Sequence, residues 1–232
     1  MAWSHGSRFA LACRLVVACG GRRLLDYGCG DGTFVAMVHD RFPETRGVDV
    51  DPDQIAGCQT RLGDLPGVTF GMTPQLRPAD AGAWNVVTCM EVLEHCLDAD
   101  RRGVIEELGR LCARDGRIVI SIPIETGPSV VAKQSFRAIA GLRRLGDYAY
   151  RERYSIPEMV RAAAGRRVER VTYEGRGATG TFAYYGHKGF EWSDVEREIR
   201  ERLIVERRTF SPMPWMAAVL NSQVWFICRP RP

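Results

Sequence analysis

The sequence predicts a single α/β domain built on a parallel sheet with crossover helices, and three observations predict it. Short apolar runs alternate with helically spaced segments between residues 22 and 123, the order in which strand, helix and parallel strand follow one another. The stretch LLDYGCGDGTF sets glycines at 28, 30 and 32 between the first strand and the first crossover helix. The second strand carries Asp49 at its end, seventeen residues beyond Gly32.

In chain order, FALACRLVVACGG predicts a first helix that covers the domain. Arg14 interrupts it, and it is far shorter than the roughly 20 apolar residues that span a bilayer, so neither a transmembrane segment nor a targeting leader is expected. The strands are RRLLDY (22–27), TRGVDV (45–50), GVTF (67–70), WNVVTCM (84–90) and GRIVISIP (116–123). TFVAMVHDRF, PDQIAGCQTRL and DADRRGVIEELGRLCA space their apolar residues as helices do. Asp51 before Pro52 suits a helix cap, and Asp115-Gly116 suits a turn.

After Pro123 the rhythm changes. A basic amphipathic stretch, SVVAKQSFRAIAGLRRL, is followed by SIPEMVRAAAG, where Ser155 caps a helix with Pro157 in its first turn, and by the alternating VERVTYEG. SDVEREIRERL then opens with Ser193 and Glu196 in capping-box spacing. SQVWFICRP alternates as a late strand. The simplest organisation of residues 1–232 is one domain with a helical lid inserted at 125–185, longer than an ordinary loop.

Composition sets broad limits. With 232 residues the chain can bury one good-sized core, and 45% hydrophobic against 26% charged residues argues against wholesale disorder. A net charge of +4 can assist an anionic substrate but does not establish nucleic-acid binding. The eight cysteines include no CxxC pair and several fall in apolar runs, which reads as reduced core thiols in a cytoplasmic protein.

Glycines after a strand let the backbone turn tightly beside a ligand, and the following helix offers unpaired N–H groups. A carboxylate at Asp49 can accept both hydroxyls of a ribose. The D-x-G-x-G-x-G signature from Asp26 to Gly32, with Asp49 and VVTCMEVLEH, resembles the class I S-adenosylmethionine-dependent methyltransferases. No GK[ST] follows, so the loop is not a P-loop. The resemblance covers residues 20–123. It implies a doubly wound, Rossmann-like sheet of seven strands, with SQVWFICR as the antiparallel one. It also implies cofactor contacts at Asp26, Gly28, Gly30, Asp49 and Val50, with Met90 and Glu91 bordering the cofactor. Where the family often has an acidic residue for the adenine amino group, this chain has Gly71-Met72-Thr73, and Thr73 or a backbone group takes that place.

VVTCMEVLEHC resembles the corresponding segment of ubiquinone-biosynthesis O-methyltransferases. Its E-x-x-E-H pattern is similar to that of the family methylating the terminal 2′-hydroxyl of small RNAs, in which the carboxylates and histidine hold a divalent metal with a second, downstream histidine. On a helical turn Glu91, Glu94 and His95 would share one face. HKGFEW resembles the element carrying that downstream histidine, with Gly189 inserted, and makes His187 the candidate second ligand or base. The ligand set does not choose among magnesium, manganese, iron and zinc. The alternative is that Glu91, Glu94 and His95 only shape the pocket. His5 and His39 are expected at the surface.

The insertion lies where open α/β sheets build their crevice. Its basic and apolar faces could cover an anionic or lipid-linked substrate or touch a membrane surface, and Tyr184, Tyr185, Phe190 and Trp192 could stack on a ring or pack the lid. The expected function is S-adenosylmethionine-dependent O-methylation of a small metabolite, sugar or lipid-linked intermediate, with His187 or His95 as base. A metal-dependent RNA 2′-O-methyltransferase and a non-catalytic cofactor-binding regulator are the alternatives.

Overall fold

The computed structural model describes residues 3–131, 134, 154–177, 180–216, 218–219 and 221–232. Seven strands form one sheet: β1 (Arg23–Tyr27), β2 (Glu44–Asp49), β3 (Val68–Met72), β4 (Trp84–Met90), β5 (Cys112–Pro123), β8 (Leu203–Ser211) and β9 (Gln223–Pro230). Their order is β3-β2-β1-β4-β5-β9-β8. The first five strands pair in parallel, and β9 runs antiparallel between β5 and β8. SQVWFICR therefore supplies the expected antiparallel strand. The strand order reverses between β1 and β4, which puts the ligand crevice beyond their carboxyl ends.

Alternation along each strand decides which face a residue joins. Leu24, Val86, Val119 and Trp225 pack under Ala12, Leu15 and Val16 of helix α1 (Trp3–Cys19) and Phe34 and Val38 of α2 (Thr33–Val38). Their neighbours Leu25, Val87, Ile118 and Phe226 face Ile105 and Leu108 of α4 (Asp98–Leu111) and Val195 and Ile199 of α6 (Trp192–Arg202). Leu24 and Leu25 are fully buried, so truncating either to alanine should cost about 2–5 kcal/mol. Helix α3 (Pro52–Leu62) starts as expected, with Asp51 Oδ1 accepting from Asp53 N–H at 2.8 Å.

Three local expectations are corrected. Asp115-Gly116 is not a turn before the fifth strand but lies inside β5, which starts at Cys112 and shifts register against β4 between Trp84 and Val86. A Cβ on Gly116 would sit 2.7 Å from Asn85 O, so only glycine permits that approach. Helix α6 is capped by Glu191, which accepts from Ser193 N–H at 3.2 Å, rather than by Ser193. Glu196 cannot complete the expected box, because its carboxylate is held by Arg200 at 2.7 Å and Arg208 at 2.9 Å.

The insertion is the third. Its described part holds helix α5 (Ile156–Ala163), with Ser155 and Glu158 forming the expected reciprocal cap, and then an antiparallel hairpin of β6 (Thr172–Gly177) and β7 (Gly180–Tyr185). Alternating VERVTYEG leads into that hairpin, so a purely helical lid does not describe it. Most of SVVAKQSFRAIAGLRRL lies outside the described residues. Among the described residues no helix is long and apolar enough to cross a membrane.

Candidate active site

The three glycines after β1 all have left-handed backbones, with φ of +78° at Gly28, +51° at Gly30 and +73° at Gly32. They differ in what surrounds them. A Cβ on Gly28 would fall 2.3 Å from Val92 Cγ2, whereas one on Gly30 would meet nothing within 4 Å. Gly28 thus serves packing and Gly30 opens onto space. The loop is stitched to the next strand: Gly28 and Cys29 N–H donate to Val48 O at 2.8 and 3.0 Å. Gly30 N–H donates to Asp49 Oδ2 at 2.9 Å, and Asp51 N–H to Oδ1 at 3.0 Å.

Two adjoining cavities share Gly28, Gly30 and Glu91 in their walls. One, of about 230 Å³, is lined also by Asp26, Met90, Arg8 and Phe9. The other, of about 550 Å³, is lined by Asp49, Val50 and Thr73 on one side and by Val92, His95, Phe182 and Tyr184 on the other. Each of the eight residues expected at the cofactor therefore lines one or the other. Arg8 was invisible in the sequence: it lies on α1, distant along the chain, and only the packing of α1 across the sheet brings it there.

Asp26 is buried and accepts from the Thr88 hydroxyl at 2.6 Å. Burial pushes its carboxyl up to about 7, with the Thr88 hydrogen bond opposing and the Asp49 charge adding to the rise.

After β4 the chain makes a turn, not the helical face expected for Glu91, Glu94 and His95. Glu91 has a φ of +57° and its carboxylate turns towards Ser121 Oγ, 3.2 Å away, and Arg8, 3.5 Å away. Glu94, fully buried, lies instead 4.0 Å from His95 Nε2. His187 completes this group: one ligand atom from each of Glu94, His95 and His187 lies within 4.8 Å of the others. Glu91, expected as a fourth metal ligand, stands outside it.

The chemistry of this group is unusual in one respect. Among the described residues, neither carboxylate oxygen of Glu94 has a hydrogen-bond partner. Burial, then the nearby Glu91 charge, pushes its carboxyl well above the usual range, with its own backbone N–H dipole and then Arg8 opposing. His95 Nδ1 lies 2.8 Å from Tyr185 O. A carbonyl only accepts, so Nδ1 carries the proton and Nε2 is the basic nitrogen. A buried carboxylate lacking hydrogen bonds beside an imidazole oriented through its other nitrogen is a donor set that fits a divalent cation.

The four aromatics considered for stacking separate. Phe190 is core, Trp192 packs edge-on against Phe210, and the Tyr185 ring lies under Arg170. Only Tyr184 faces the larger cavity, its ring 6.1 Å from that of His95. Phe182 joins it there. Strand alternation could have found Phe182, two residues before Tyr184 and so on the same face. His95 lines that cavity, while His187 packs edge-on against it with ring centroids 4.8 Å apart.

Comparison with known proteins places the family and the fold. The chain matches the methyltransferase domain family over residues 5–163, more than half its length. It is 29% identical over 106 residues to a ubiquinone biosynthesis O-methyltransferase of Psychrobacter cryohalolentis, covering 44% of this chain and 40% of that protein, so the chain spans well under half of that relative. Among solved structures, the N-methyltransferase NodS from Bradyrhizobium japonicum WM9 superposes with a TM-score of 0.59 at 15% identity, covering 98% of this chain and 97% of that one. Magnesium protoporphyrin IX methyltransferase from Synechocystis PCC 6803, with S-adenosylhomocysteine bound, gives 0.56 at 16% identity, covering 97% and 83%. The chain belongs to the methyltransferase domain family and has the class I S-adenosylmethionine-dependent methyltransferase fold.

Proposed function

We propose that the protein methylates an oxygen of a small-molecule acceptor, using S-adenosylmethionine. The observation that supports this reading is the shared cavity: Gly28, Gly30 and Asp49 form one wall, His95, Phe182 and Tyr184 the other. The residues fit the cofactor. Gly30 leaves open the space a side chain would fill, and Asp49 is fixed by two backbone N–H groups with acceptor capacity left for ribose hydroxyls. Arg8 and Asp26, in the smaller cavity, offer opposite polarities to an amino-acid group. Bound there, the cofactor supplies an electrophilic methyl group on a sulfonium.

The chain's own part is to orient and deprotonate. An acceptor hydroxyl in the larger cavity is within the walls that hold His95, whose Nε2 can take its proton as the oxygen is methylated. General-base assistance of this kind contributes roughly 10²–10⁴ in rate. Phe182 and Tyr184 offer ring faces on which the acceptor can lie. Relatives of this fold include both O- and N-methyltransferases, so the acceptor atom rests on the base.

The test is incubation with methyl-labelled S-adenosylmethionine and a panel of hydroxylated small molecules, with products read by mass spectrometry. Label in O-methyl groups, lost in His95→Gln while S-adenosylhomocysteine binding persists, supports the reading. Label on nitrogen, or full turnover in His95→Gln, overturns it. A second reading is favoured by the Glu94–His95–His187 group, which would hold a divalent cation that lowers the acceptor's hydroxyl pKa.

A further inference from the structure

The hairpin β6–β7 meets the turn bearing Glu94 and His95 at its root. There Gly186 N–H donates to Val171 O at 3.0 Å, and Tyr185 N–H to His95 O at 2.9 Å. Arg170, two residues before β6, reaches across the same junction. Its Nη2 donates to Glu94 O and, at 2.9 Å, to Gly186 O. Its guanidinium carbon sits 4.1 Å from the Tyr185 ring centroid and 5.2 Å from that of Phe190.

Among the described residues Arg170 forms no ion pair, and desolvation followed by the Arg101 charge works against its proton. A half-buried cation with no carboxylate at ion-pair distance is costly, although the Asp98 and Glu94 charges act in its favour. What it gains is geometric: a flat guanidinium can stack on rings while donating in its own plane to two carbonyls, which an ammonium cannot. Both carbonyls belong to segments carrying the reactive group. Glu94 O precedes His95, and Gly186 O precedes His187.

We propose that Arg170 is a positioning residue, clamping the Glu94–His95 turn to the Gly186–His187 segment and so setting the 4.8 Å separation of the two imidazole rings. It rests on the reading of His95 as base, yet it can fail separately, because the histidines are observed directly. Arg170 lines neither cavity assigned to cofactor and acceptor, but one lined by Asp98, Arg101 and Phe190 among others. Its action is therefore through His95 and His187.

The experiment is ring-nitrogen NMR of ¹⁵N-histidine-labelled wild type, Arg170→Ala and Arg170→Lys at one fixed pH. His39, whose Nδ1 lies 2.9 Å from Ala36 O, is the internal reference. Both variants should show a changed His95 tautomer pattern and shifted His187 signals with His39 unmoved. S-adenosylhomocysteine affinity should stay within about threefold, as for sites sharing no partner. Unchanged His95 and His187 signals in a folded variant overturn the proposal, as does a shift that includes His39, which marks a general loss of structure. If Arg170→Ala does not fold, Arg170→Lys, which keeps the charge, carries the test.

Discussion

Glu94 and His95 are neighbours in the chain whose polar atoms are treated oppositely: His95 Nδ1 is held by Tyr185 O, while the Glu94 carboxylate, 4.0 Å from Nε2, takes part in no hydrogen bond among the described residues. A buried polar group is normally paired, and leaving one unpaired costs about 1–3 kcal/mol. A cation between Glu94, His95 and His187 would remove that cost. Cobalt(II) added to the protein should then give visible d–d bands of a bound site, and Glu94→Gln should weaken binding by about 100-fold, the loss of one charged ligand. Absence of cobalt bands in the wild type would remove the metal reading and leave His95 as an unassisted base.

Asp26 predicts a pH dependence of folding. Its carboxyl rises from an ordinary 3.8 to about 7 in the fold, chiefly through burial. Between those values the folded state keeps a proton that the unfolded chain releases, so stability falls as pH rises and the full penalty is present above 7. The span corresponds to an effect on the order of 4 kcal/mol. Asp26→Asn keeps an oxygen to accept from Thr88 and removes the charge. The cofactor-free variant should gain thermal stability over wild type progressively from pH 5 to pH 8. Melting curves that stay parallel across that range would show that Asp26 ionises normally.

Asp49 is held before it meets any ligand, by Gly30 N–H of the glycine loop and by Asp51 N–H of its own segment. Truncation to alanine removes the proposed ribose acceptor and also frees the loop. Calorimetry with S-adenosylhomocysteine should show affinity reduced about 100-fold in Asp49→Ala and about tenfold in Asp49→Asn, which keeps one acceptor oxygen. Unaltered binding in Asp49→Ala would contradict the cofactor assignment.

The sheet and the cavity wall at the glycine loop were legible because their signals are local. Alternation in RRLLDY and WNVVTCM sorts each residue to a face, and the glycine spacing demands a turn. Arg8 and Arg170 were not legible, since each acts across a junction made only when distant segments pack. The Glu91, Glu94 and His95 set was read on helical spacing. The chain instead turns at Glu91 in a left-handed conformation, which sends Glu91 towards Arg8 and leaves Glu94 with the histidines. Such a reversal at a non-glycine residue has no signature in the residue types themselves.

Gly28 and Gly30 separate folding from binding within one loop. Both have positive φ, which costs an alanine about 1–2 kcal/mol. At Gly28 the added methyl also meets Val92 Cγ2 at 2.3 Å, and Val92 shares the cavity wall with His95. Gly28→Ala should therefore lower stability by about 2–4 kcal/mol in denaturant titrations, as overpacking does. At Gly30 the methyl enters open space, so stability should fall by only the backbone cost. Its effect should appear in S-adenosylhomocysteine affinity, reduced about tenfold or more because the methyl occupies volume the ligand needs. If Gly30→Ala binds S-adenosylhomocysteine as tightly as wild type, the open space at Gly30 is not where the cofactor lies, and the binding wall must be drawn from Asp26 and Met90 instead.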